Sequence, residues 1–233
     1  MRKIDLSASL MCIDWLNAGK QLRIIEPHIQ YLHIDIIDGN FAPDFTMGSS
    51  IVNRFREKTS IPFDYHLMVE EPRRFFDAFS IRPGDIFTIH QESVRQLHRD
   101  LVQIRRMGAK VGVALAPATH IDTLEYVLDD IDVVLLMTVN PGYKGQPLVP
   151  QTIKKVADLK RIIDSNKLNI KISVDGNVSL KNIPEMVTRG ADMLVLGSSG
   201  LFTHTDHLFK NINLINESIA YSLNGNALDF VNA

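Results

Sequence analysis

Two imidazoles and two carboxylates stand where a chain could use them for chemistry. His33 and Asp35 lie in His33-Ile34-Asp35-Ile36-Ile37-Asp38-Gly39, His66 in His66-Leu67-Met68-Val69, and Asp175 in Val174-Asp175-Gly176. In an extended chain, side chains two apart share a face, so His33 and Asp35 project together while Ile34 and Ile36 point the other way. A lone His is ordinarily a satisfied polar residue, and Asp-Gly is ordinarily a turn. An imidazole and a carboxylate aimed at one spot, however, are what a strand end offers as metal ligands or as an acid/base pair. Two His and two carboxylates together suit a divalent cation such as zinc, iron, manganese, cobalt or magnesium. A second group of residues suits an anion. Gly142-Tyr143-Lys144-Gly145, Gly176 and Gly197-Ser198 put glycines into three separate loops, and glycine lets backbone N–H groups approach a phosphate closely.

These residues work together only if the fold brings them together. Short apolar runs alternate with longer amphipathic ones along the chain. Strands are expected at Ile4–Leu10, Tyr31–Ile36, Phe63–Val69, Asp85–His90, Val111–Ala116, Asp132–Val139, Ile170–Val174 and Met193–Gly197. The helices expected between and after them are Trp15–His28, Ser49–Lys58, Pro72–Ser80, Val94–Met107, Ile121–Leu128, Thr152–Ser165, Leu180–Arg189 and His207–Tyr221. Val133-Val134-Leu135-Leu136 and Met193-Leu194-Val195-Leu196 are apolar on both faces, as parallel strands packed between helices must be. Strict βα alternation means a parallel sheet, and eight repeats in a chain of this length match a closed (β/α)₈ TIM barrel. An open doubly wound sheet is the alternative, but no Gly-rich dinucleotide fingerprint follows the first strand.

The barrel places function at the C-terminal ends of its strands. Those ends carry Ser9, the His33/Asp35 pair, His66, His90 and Glu92, Met137, Asp175, and Gly197. Strands two and three are neighbours, while strand seven is three places away around the ring, so Asp35 and Asp175 approach the mouth from different sides. The loops near strands seven and eight are the usual phosphate site of such barrels. The residues alone therefore describe a metal-assisted enzyme acting on a small phosphorylated substrate.

Composition narrows the class further. The 233 residues are 45% hydrophobic and 22% charged, with a formal net charge of −2. This is the balance of a globular chain, without the basic surplus that nucleic acid or an anionic membrane surface calls for. The single cysteine, Cys12, excludes an internal disulfide and fits a reducing compartment. Charge and hydroxyls interrupt the N-terminus too early for a secretory signal, and no apolar run approaches the roughly 18 residues of a membrane span. The expectation is one domain over residues 1–233, cytoplasmic, with residues 222–233 fraying as a small polar tail.

At these motifs the chain resembles the ribulose-phosphate 3-epimerase family, a family of (β/α)₈ barrels. Ser9-Leu10, the run from His33 to Pro43, His66-Leu67-Met68-Val69, Met137-Thr138-Val139-Asn140-Pro141-Gly142, Val174-Asp175-Gly176 and Gly197-Ser198 carry the likeness in order along nearly the whole chain. The resemblance implies a cytoplasmic isomerase of carbohydrate metabolism that inverts C3 of a ketose phosphate. It makes Asp35 and Asp175 the acid/base pair and His33, Asp35, His66 and Asp175 the ligands of one divalent metal ion. Ser9 and His66 would contact the sugar. Gly142, Gly145, Gly176, Gly197 and Ser198 would place the phosphate, with Tyr143 and Lys144 in the same loop. Ile37, Met68 and Met137 would cap the reacting carbons.

The chain departs from the family pattern twice. Tyr143 and Lys144 occupy the middle of a loop that commonly reads Gly-Phe-Gly-Gly, and Ile37 stands where a Met is usual. Within the family, Ser9–Asp14 and Ser199–Phe202 look most like the allulose-6-phosphate 3-epimerase branch. That favours D-allulose 6-phosphate to D-fructose 6-phosphate, with D-ribulose 5-phosphate to D-xylulose 5-phosphate as the alternative. The implied partner is a small phosphorylated ketose, and family barrels are commonly homo-oligomers.

Two rivals belong to other classes. Related phosphate-binding barrels carry out aldol or decarboxylation chemistry with a Lys near the reacting carbon, but Lys144 is the one Lys near a predicted strand end, and it sits in a loop. A catalytically silent sugar-phosphate sensor would not need the His and Asp set.

Overall fold

The computed structural model describes residues 2–204 and 207–225. Its eight strands are β1 (Asp5–Ser9), β2 (Tyr31–Ile37), β3 (Phe63–Met68), β4 (Ile86–His90), β5 (Lys110–Leu115), β6 (Val133–Met137), β7 (Lys171–Asp175) and β8 (Met193–Leu196). Each pairs in parallel with its sequence neighbours, and β1 pairs with β8, so the sheet closes into a barrel in chain order. The α-helices are α1 (Ala18–Ile25), α2 (Ser49–Arg56), α3 (Leu97–Arg106), α4 (Gln151–Ser165), α5 (Ile183–Arg189) and α6 (Leu208–Leu223). None is long and apolar enough to cross a membrane.

Two expected helices are replaced by 3₁₀ turns. Pro72–Ala78 forms one such stretch, entered through Glu71 at φ 50°, and Ile121–Leu124 and Leu128–Asp130 form two more. 3₁₀ geometry is the usual form of such brief connectors. The expected Trp15–His28 helix is cut to α1 between 3₁₀ turns at Trp15–Asn17 and Glu26–His28. Pro27, which cannot donate a backbone hydrogen bond, ends the α-helical run. The expected tail from Ser222 begins too early. Ser222 lies within α6, is buried, and donates its hydroxyl to Ser218 O at 2.6 Å; residues 226–233 lie outside the described residues.

The strands alternate as their sequences require. Leu32, Ile34, Ile36, Tyr65, Leu67, Phe87 and Ile89 face outward into the main core between sheet and helices. The inward residues stack in layers. At the base, Tyr31, Ile86, Val133 and Met193 come from β2, β4, β6 and β8, the four-from-alternate-strands arrangement of a filled barrel. Above them the interior divides. Ala114, Leu135, Met137, Val139 and Val195 make one side apolar, while Ser7, His33, Asp64, His66, Thr88 and His90 fill the side of β1 to β4 with buried polar groups. Gly112 makes the closest fit: a Cβ there would lie 2.1 Å from Thr88 Oγ1.

One buried ion pair lies outside the barrel mouth and holds α2 to the sheet. Arg56 Nη2 meets Asp85 Oδ2 at 2.6 Å, its guanidinium stands 3.5 Å over the Phe63 ring, and Asp85 also accepts from the backbone N–H groups of Phe63 and Arg82 at 2.7 and 2.8 Å. Asp85→Ala strands a buried guanidinium and two peptide donors. The expected loss is about 3–5 kcal/mol, read as a lower urea midpoint at unchanged slope. A loss under about 1 kcal/mol would contradict this account.

Candidate functional site

The C-terminal mouth of the barrel is built from strand ends that side chains hold in place. Thr46 fastens the end of β2: its hydroxyl donates to Asp35 O at 2.5 Å and accepts from Ile37 N–H at 2.9 Å. Asp38 shapes the turn that follows. Its Oδ1 accepts from Asn40 and Phe41 N–H, and its Oδ2 accepts from Glu70 N–H at 2.8 Å, which ties the loop after β2 to the loop after β3. Those hydrogen bonds hold the Asp38 carboxyl below its usual range despite partial burial. Thr138 does for β7 what Thr46 does for β2, with its N–H and hydroxyl donating to Asp175 O at 2.7 and 2.9 Å. Gly176 then turns the chain at φ 109°, where a Cβ would lie 2.6 Å from Val139 Cγ2 and 2.8 Å from Val139 N. A side chain there would have to displace Val139.

Between those strand ends the four residues singled out in the sequence converge. Ligand atoms of His33, Asp35, His66 and Asp175 all lie within 4.8 Å of one another. His33 Nε2 is 3.2 Å from Asp35 Oδ1 and 3.9 Å from Asp175 Oδ2; His66 Nδ1 is 3.4 Å from Asp35 Oδ1 and 3.7 Å from Asp175 Oδ2. Neither nitrogen makes a hydrogen bond, although both are completely buried. The opposite nitrogen of each ring is occupied. His33 Nδ1 meets Asp64 Oδ2 at 2.7 Å, and His66 Nε2 meets His90 Nε2 at 2.8 Å. Two orphaned imidazole nitrogens facing two carboxylate oxygens call for a positive charge between them, and that donor set fits a divalent metal ion.

The proton affinities follow the same geometry. Burial alone would lower the His33 pKa, but the Asp35 and Asp64 carboxylates outweigh it and raise the group well above its ordinary value. Burial would raise Asp35, yet His33 and His66 hold it well below the carboxylate range. Asp175 goes the other way. Burial, joined by the like charge of Asp35, raises it against the pull of His33 and His66. The two carboxylates of one buried cluster are thus pushed in opposite directions from their ordinary value.

Over this cluster opens a cleft at the barrel mouth. Ser9, Asp35, Asp175, Gly142, Tyr143, Lys144, Gly145, Gly176, Gly197 and Ser198 line it. Ser9 Oγ donates to Asp35 Oδ2 at 2.8 Å. His33 and His66 lie beneath the lining. The expected cap divides: Met68 and Met137 line the cleft, whereas Ile37 packs behind Met68 with Ala42.

Other participants were not singled out from the sequence. Asp64 buttresses His33 and also accepts from Ser7 Oγ at 2.9 Å; its place two residues before His66 repeats the His33/Asp35 spacing and was the available signal. Gln146 donates to Asn140 O and Tyr143 O and accepts from Asn177 Nδ2, joining the loops after β6 and β7. Met11 and Cys12 add to the wall, and burial raises the Cys12 thiol pKa. No spacing rule marks Gln146, Met11 or Cys12.

Comparison with known proteins agrees with this geometry. Two solved barrels show the fold alone: a tryptophan synthase alpha-subunit variant from Pyrococcus furiosus (TM-score 0.65, 16% identity, covering 92% of this chain and 98% of that one) and 3-hexulose-6-phosphate synthase from Salmonella typhimurium (0.63, 15%, 94% and 100%). Sequence likeness is closer. The ribulose-phosphate 3-epimerase of Bacillus subtilis (strain 168) is 39% identical over 198 residues, 84% of this chain and 91% of its own length. That of Escherichia coli (strain K12) is 34% identical over 209 residues, 89% and 92%. The chloroplastic ribulose-5-phosphate-3-epimerase of Arabidopsis thaliana is 38% identical over 199 residues, 84% and 71%. Residues 5–202 match the model of the ribulose-phosphate 3 epimerase family, and with barrel, metal-ligand cluster and relatives in agreement, the chain belongs to the ribulose-phosphate 3-epimerase family of isomerases.

Proposed function

We propose that this ketose-phosphate 3-epimerase interconverts D-ribulose 5-phosphate and D-xylulose 5-phosphate, with Asp35 and Asp175 as the two proton carriers. The observation that carries the reading is the convergence of those carboxylates, one from β2 and one from β7, with His33 and His66 within 4.8 Å beneath the cleft. Epimerisation removes the hydrogen on C3, next to the carbonyl, and returns one to the opposite face. One base cannot serve both faces, so carboxylates on opposite sides are required. One Asp accepts the C3 proton to leave an enediolate, the other delivers a proton from the far side, and the roles exchange in the reverse direction.

His33, Asp35, His66 and Asp175 are the residues that would hold a divalent cation, which supplies a Lewis acid to offset the negative charge developing on the sugar oxygens. Ser9, donating to Asp35, orients that carboxylate. Met68 and Met137 keep water from the intermediate. The loops at 142–145, 176 and 197–198 hold the phosphate, so remote binding fixes C3 between the two carboxylates.

The pentulose is favoured by the relatives' names over the hexulose that Ser9–Asp14 and Ser199–Phe202 suggest. Turnover measured on both D-ribulose 5-phosphate and D-allulose 6-phosphate decides between them. We expect kcat/KM to favour the pentulose by at least about tenfold, the scale on which a fitted pocket discriminates by one small group. A preference for D-allulose 6-phosphate would reverse the assignment, and no exchange of the C3 proton with solvent on either sugar would leave a barrel that only binds.

A further inference from the structure

Behind His66 runs a chain of polar groups that the proton transfer does not use. His66 Nε2 lies 2.8 Å from His90 Nε2, and His90 Nδ1 lies 3.1 Å from Glu92 Oε2. Both rings are fully buried. On its far side, Glu92 Oε1 accepts from Ala116 N–H at 2.8 Å and from the Thr119 hydroxyl. The loop supplying those donors is gripped by Lys155 of α4, whose ammonium donates to the carbonyls of Ala116, Pro117 and Thr119 at 2.9, 2.8 and 2.7 Å.

Counting donors gives the chain a direction. A neutral imidazole has one N–H and one lone pair. The His66 nitrogen facing Asp35 and Asp175 is Nδ1, so a His66 that ligates through it must carry its proton on Nε2. That proton goes to His90 Nε2, which must therefore be the acceptor. The His90 proton then sits on Nδ1 and is donated to Glu92. Glu92 in turn must accept through both oxygens, since an imidazole N–H stands on one side and a peptide N–H and a hydroxyl on the other. A carboxylate can do this; a Gln side chain, with a single acceptor oxygen, cannot.

We propose that His90 and Glu92 are positioning residues that lock His66 in its Nε2–H tautomer and keep the Nδ1 lone pair aimed at the metal. The inference rests on reading the four-residue cluster as a metal site. His33 has the simpler version of the same support, with Asp64 accepting directly from its Nδ1. Both ligand rings are thus held from behind by a carboxylate, one directly and one through a second ring reaching the loop after β5. Such partners fix the orientation and basicity of a ligating His, and their loss typically weakens metal binding.

The test uses the full chain with Zn²⁺ and with Mn²⁺, measuring affinity by competition with a chromophoric chelator and His66 tautomer by ¹⁵N NMR of the metal-free protein. E92Q and H90F are each expected to weaken metal binding by about 10- to 100-fold, and the double variant by no more than H90F alone, because both interrupt one path. H90Q should recover most of the loss, since its amide oxygen can accept from His66 while its NH₂ donates to Glu92. The His66 spectrum should show Nε2–H in the wild type and a Nδ1–H population in E92Q. Wild-type affinity in both E92Q and H90F would overturn the inference, as would equal losses in H90F and H90Q, which would point to packing. A wild-type chain that binds neither metal would instead remove the metal reading beneath it.

Discussion

Asp175→Asn should lose epimerisation by about 10²- to 10⁴-fold, the range that a positioned acid/base group contributes, while still exchanging the C3 hydrogen of one epimer with solvent. The second half of the expectation separates a two-carboxylate mechanism from general damage. Asp35 and Asp175 enter the mouth from β2 and β7, and on the proposed mechanism each serves one face of the substrate. With Asp175 silenced, Asp35 can still remove and return a proton on its own face. Deuterium should therefore enter the epimer whose C3 hydrogen faces Asp35 when the reaction is run in D₂O, with no conversion to the other epimer. Asp35→Asn should produce the mirror result. Near wild-type turnover in either variant would refute the assignment. Loss of exchange in both epimers would show that the amide had disabled the whole site rather than one face.

Stripping the divalent metal should abolish turnover, and adding back zinc, iron, manganese or cobalt should restore it to differing extents. The physical basis is the pair of buried imidazole nitrogens with no hydrogen-bond partner, each within 4 Å of carboxylate oxygen. A cation that binds only this folded arrangement must also stabilise it. At a free concentration of about 100 times the dissociation constant the gain is about 2.7 kcal/mol. For a domain of this size that is a rise of roughly 5–10 °C in the thermal midpoint. A midpoint indifferent to chelator and metal, together with full activity in verified metal-free protein, would remove the Lewis acid from the mechanism.

Much of this site is legible in the sequence. The alternation of His33 with Asp35 assigns both to one face, and the repeated strand-then-helix pattern makes the barrel, so the mouth could be reached from local rules. The limits were also local. Pro72–Ala78 and Ile121–Leu124 carry apolar spacing that reads as α-helix, yet both form 3₁₀ turns. Periodicity reports which side is buried but not whether a short segment can sustain an α-helix. Ser222 looked like the start of a tail because it is polar, but its hydroxyl is satisfied within α6 by Ser218 O. The family resemblance puts Ile37 in the cap over the cleft, but it is buried against Ala42 and Met68 and does not reach the cleft wall.

What the sequence determined by itself is the set of chemical groups and the faces they occupy: two His, two Asp and the loop glycines at the ends of parallel strands. These are fixed by covalent spacing and by the two-residue repeat of a strand. The tertiary structure decided how each group is held. Asp64 behind His33, His90 and Glu92 behind His66, Thr46 under Asp35 and Thr138 under Asp175 are contacts between different strands or loops. Such contacts depend on the stagger of the barrel and on which nitrogen of a ring turns inward. No periodicity along the chain encodes those features, because they arise only when the sheet closes.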